Sequence, residues 1–170
     1  EGGGRAVATY LARNGGLEGM RDLGADPGDA RVMTFADISG DDRPDLLIGA
    51  ADGTVRIHRA TSTTGAFESA GEILDHPSAN GAVTALATGD VPPVADGRLD
   101  IIAGFDSKQI FAWSRGADGR FSGTPTELPS LSEGPLLAFA TSPDEAMWVA
   151  IHRDTKTIGA MGSTGYNVMG

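Results

Sequence analysis

The sequence predicts an all-β fold assembled from β-propeller blades of four antiparallel strands, and three observations predict it. A pattern of about 50 residues recurs along the chain. Glycine fills 25 of the 170 positions, spread between short apolar runs. No stretch carries the 3.6-residue apolar stripe of a helix. A unit of four strands and about 50 residues has the size of a blade, which cannot bury both of its faces alone and must pack against neighbours around an axis.

One copy of the pattern spans residues 32–74 and a second spans 83–128. Residues 136–161 supply the early strands of a further copy, and residues 6–23 the late strands of a preceding one. Leu17, Phe67 and Phe121 each come shortly after a glycine and open a last strand, 50 and then 54 residues apart. Asp22-Leu23, Glu72-Ile73 and Glu127-Leu128 close that strand, and the run DLLIG at 45–49 matches DIIAG at 100–104.

Within the first full copy, Val32, Thr34 and Ala36 alternate with Met33 and Phe35, the period of a strand. A polar loop then leads into the apolar run 46–48. Asp52-Gly53 reads as a two-residue hairpin turn, because glycine tolerates the positive φ such turns require. Residues 54–59 alternate again, with Val55 and Ile57 on one face and Arg56 and His58 on the other. The Ser/Thr/Gly stretch 61–65 is a loop, and 67–74 is expected to form the fourth strand. About three blades' worth of chain results, fewer than the four to eight with which propellers close. The expectation is therefore a partial propeller, or part of a larger ring completed by missing blades or other chains.

Composition narrows the function classes. Forty per cent apolar residues is too many for a disordered acidic segment. No apolar run approaches the roughly 18 residues needed to cross a bilayer, so no membrane insertion is expected. A net charge of −10 disfavours nucleic acid, whose binding draws on Lys and Arg. The absence of cysteine removes disulfides, thiolate metal sites and cysteine nucleophiles together.

The chemical motif is the acidic loop of residues 37–45, with sequence DISGDDRPD. Asp37, Ser39, Asp41 and Asp45 place side-chain oxygens at positions 1, 3, 5 and 9. Alternate spacing curls such a set around a hard cation, and the carbonyl of position 7, Arg43, can add a further oxygen. Oxygen-only donors favour calcium (Ca2+) over transition metals, with magnesium second because it demands a tighter octahedron. The alternative is an Asp/Gly-rich turn whose carboxylates cap their own backbone.

Residues 35–55, FADISGDDRPDLLIGAADGTV, resemble an FG-GAP/VCBS repeat, the unit of the calcium-binding propellers of integrin α-chains and of many secreted bacterial proteins. The resemblance is specific in the first copy, weaker in the second, and survives elsewhere only as strand pattern. It implies that Asp37, Ser39, Asp41 and Asp45 are side-chain ligands, with Arg43 offering its carbonyl. Ser39 stands where the family usually has Asp or Asn, which removes a charge. Asp42 stands at the turn glycine, a place Asp tolerates because it visits the left-handed region more readily than most residues. In the second copy Asp90, Asp96 and Asp100 form a lesser candidate metal set, with Gly97 at the turn. Two extra residues and Pro92-Pro93 interrupt the spacing there, so a rigidified loop without metal is the competing reading. The third loop, residues 141–145, lacks the closing Asp and is expected to bind nothing.

Other chemistry is thinly represented. His58, His76 and His152 are scattered, no Gly-x-Ser-x-Gly elbow or phosphate loop occurs, and no carboxylate pair is singled out for catalysis. Trp113 and Trp148 are candidate platforms for stacking on a sugar ring, as are Tyr10 and Tyr166. Trp113 falls at the position of His58 in the preceding copy, and a core role competes with stacking there.

The chain therefore reads as an extracellular, calcium-stabilised binding module for a cell-surface glycan or protein, more readily than as an enzyme. The alternatives are a non-catalytic part of a secreted hydrolase or lyase, or a structural or targeting subunit of a toxin- or adhesin-like assembly. The resemblance implies secretion, and Ala/Gly/Asp/Arg-heavy usage is compatible with a bacterial source.

Overall fold

A computed structural model describes residues 29–62, 65–74, 81–90, 96–121 and 124–128 in full, and the backbone of the strands outside those ranges. Strands β1 (Ala8–Arg13) and β2 (Gly16–Asp22) pair as a hairpin. The first four-stranded sheet holds β3 (Ala30–Ala36), β4 (Asp45–Ala50), β5 (Val55–His58) and β6 (Glu72–Leu74), each paired to the next. A second sheet repeats the order with β7 (Val83–Gly89), β8 (Asp100–Phe105), β9 (Ile110–Trp113) and β10 (Thr126–Leu128). The third holds β11 (Leu136–Ser142), β12 (Met147–His152), β13 (Ile158–Gly162) and β14 (Gly165–Met169). All pairings are antiparallel, and no helix occurs among the described residues.

The first two sheets pack face to face. Leu47, Val55, Ile57 and Leu74 from one meet Ile101, Ala103, Phe111 and Trp113 from the other in a single buried cluster. Phe111 sits edge-on to Phe105 with ring centroids 5.8 Å apart, and Trp113 tilts against it at 6.3 Å. Close approach of the sheets depends on Gly49, where a Cβ would lie 2.4 Å from Val83 Cγ1. Strand β7 lies against β3 and β4, and β11 lies against β7 and β8 in the same way.

Several sequence expectations change in detail. The turn at Asp52-Gly53 is not a two-residue hairpin. Only Gly53 has positive φ (86°), Gly53 N–H donates to the Ala50 carbonyl at 3.2 Å, and Ala50 N–H donates to Thr54 at 3.0 Å. That is a three-residue loop whose last member is left-handed. The fourth strand is confined to Glu72–Leu74, while Phe67 only bridges Ala60. Ladder pairing also moves one landmark. Leu74 faces Val55 as Leu128 faces Ile110, so Leu128 corresponds to Leu74 and not to Ile73. A one-residue slip would turn every side chain to the opposite face, and burial of Leu74 and Leu128 fixes the register. In the C-terminal part, expected to give early strands up to residue 161, a four-stranded meander runs on to Met169.

Trp113, a candidate stacking platform, is 3% exposed and packs between the sheets. It serves the core, because its strand face is the one the first sheet covers. The side chains of Trp148, Tyr10, Tyr166, His76 and His152 lie outside the described residues.

Candidate functional site

The acidic loop joins β3 to β4 at one end of the first sheet. Asp37 organises it. Its Oδ1 accepts the backbone N–H groups of Gly40 (2.7 Å) and Asp41 (3.0 Å) and the Ser39 hydroxyl (3.3 Å). Its Oδ2 accepts Asp42 N–H at 2.7 Å. Asp42 has φ +62° and Gly40 φ +74°, the left-handed bends that let consecutive N–H groups point at one carboxylate. Asp45 closes the loop from a fully buried position. Its Oδ2 accepts Ser39 N–H at 3.0 Å and its Oδ1 accepts Ala60 N–H at 2.8 Å, tying the loop to the end of β5. Asp41 accepts Arg43 N–H at 3.0 Å and pairs with the Arg43 guanidinium.

Burial would raise the Asp37 pKa, but the N–H groups of Asp41, Asp42 and Gly40 and the Ser39 hydroxyl outweigh it and hold the carboxyl below its ordinary value of 3.8. A folded pKa below the unfolded one stabilises the fold above the unfolded value, and that contribution is lost as pH falls through the folded value. Asp37→Asn is therefore expected to flatten the acid limb of a melting-temperature profile below about pH 4. An unchanged limb would show that Asp37 does not carry it. Asp52 adds to the same limb. Burial raises its pKa too, and the Thr54 hydroxyl and N–H together with Arg56 bring it below the ordinary value.

The second loop repeats the organising bonds. Asp90 Oδ1 accepts Asp96 N–H at 3.0 Å, its Oδ2 accepts Gly97 N–H at 2.8 Å, and Gly97 has φ +80°. Asp96 Oδ1 accepts Arg98 N–H at 3.1 Å, as Asp41 accepts Arg43. Asp100 is buried at the start of β8, the place Asp45 holds in β4. Pro92-Pro93 and the centre of the third loop, residues 143–146, lie outside the described residues.

Sequence reasoning missed Arg115. From the second sheet, its Nη2 donates to the Ser39 carbonyl at 2.6 Å and its Nε to the Gly119 carbonyl at 3.4 Å. An arginine two residues past a strand gives no hint of a partner 76 positions away. Gly119 in turn borders a cleft of about 520 Å³ between the 59–72 and 118–120 segments. Arg59, Glu68, Glu72, Asp118 and Arg120 line it, with Arg59 paired to Glu72 at 2.6 Å.

The donor chemistry suits a hard cation, since every candidate ligand is oxygen and Asp37 and Asp45 keep lone pairs beyond their backbone donors. As placed, no group of three acidic or histidine side chains converges on one point among the described residues. Asp41 would have to leave the Arg43 guanidinium to join Asp37. Compared with family models and with curated proteins, the chain matches none of them.

Proposed function

We propose that the chain is a set of β-propeller blades, stabilised by calcium, that works outside the cell as a binding module for a surface glycan or protein. One observation carries this reading. Two successive loops gather backbone N–H groups onto their first carboxylate, place a left-handed residue at the turn, and bury the closing aspartate in the next strand. The carboxylates cap the backbone of their own loops, as a plain Asp/Gly turn would, and a cage would use the lone pairs they have left at the closing aspartate and the first one. Asp37, Ser39, Asp41 and Asp45, with the Arg43 carbonyl, would hold the first ion. Asp90, Asp96 and Asp100 would hold a second, weaker one. The cation would rigidify the loop end of the sheets, and the charged cleft beside it offers both donors and acceptors to a polar partner.

A calcium titration of the melting temperature tests the cation. At tenfold the dissociation constant, linkage gives about 1.4 kcal/mol, or a rise of about 4 °C, reversed by EDTA. Asp41→Ala is expected to abolish the rise, and a melting temperature indifferent to calcium in the unmutated chain would defeat the assignment. Arg43→Gln keeps the backbone carbonyl and frees Asp41 from a partly exposed ion pair. It is expected to tighten calcium binding about threefold by isothermal titration, and a weakening would mean that the guanidinium supports the site. Glycan-array and cell-surface pull-down experiments then identify the partner.

A further inference from the structure

We draw no further inference here: the strongest candidate, the charged cleft between the 59–72 segment of the first sheet and the 118–120 turn of the second, belongs to the site already described, and nothing in the structure shows what fills it.

Discussion

Asp45→Ala is expected to cost about 3 kcal/mol of folding stability. The carboxylate is fully buried and is the acceptor for Ser39 N–H and Ala60 N–H. Alanine leaves both donors without it, and a buried unsatisfied donor costs about 1–3 kcal/mol. Asp45→Asn keeps one carbonyl oxygen and should lose about half as much. Urea unfolding in EDTA measures this contribution apart from any cation. A loss below about 1 kcal/mol would show that water or relaxation replaces both bonds.

Gly49→Ala is expected to destabilise by about 2–3 kcal/mol, although alanine is the smallest side chain that could be added. The new methyl would fall 2.4 Å from Val83 Cγ1 and 2.8 Å from Val32 Cγ1, between the first sheet and the first strand of the second. Neither valine can move without disturbing the core both sheets share. Val83→Ala opens the space, so the double variant should be less destabilised than the sum of the two single ones, by about 1 kcal/mol or more. Strict additivity would place the strain elsewhere. Because the glycine sits at a sheet-to-sheet contact, the loss should appear in cooperative unfolding of both sheets together.

Features decided within a few residues were legible in the sequence. The order of strands followed from alternation and from short apolar runs, and the loop bonds of Asp37 and Asp90 reach no farther than seven residues. Legibility failed where a local signal fits two geometries. Gly53 at positive φ suits a two-residue hairpin and the three-residue loop that forms, and the pairing of Ala50 with Thr54, with Asp52 outside the left-handed region, separates them. The face occupied by Trp113 depended on which side of β9 meets the first sheet, a tertiary fact. The candidate site was legible in its residue types and not in its electrostatics. Alternating aspartates mark the loop, while the pairing of Arg43 with Asp41 arises from the side chain of a residue read only for its carbonyl.

The bond from Arg115 to Ser39 has a consequence for how the molecule comes apart. Ser39 lies in the loop that precedes β4, and Arg115 lies just after β9, so one charge-assisted bond links the first sheet to the second. Contacts between two packed units set whether they open separately or together. Fraying of the acidic loop withdraws an acceptor from the second unit, and fraying of the 115–119 turn withdraws a donor from the first. Amide-exchange protection in the two segments should therefore rise and fall together, making the loop of one sheet a reporter on the integrity of the next.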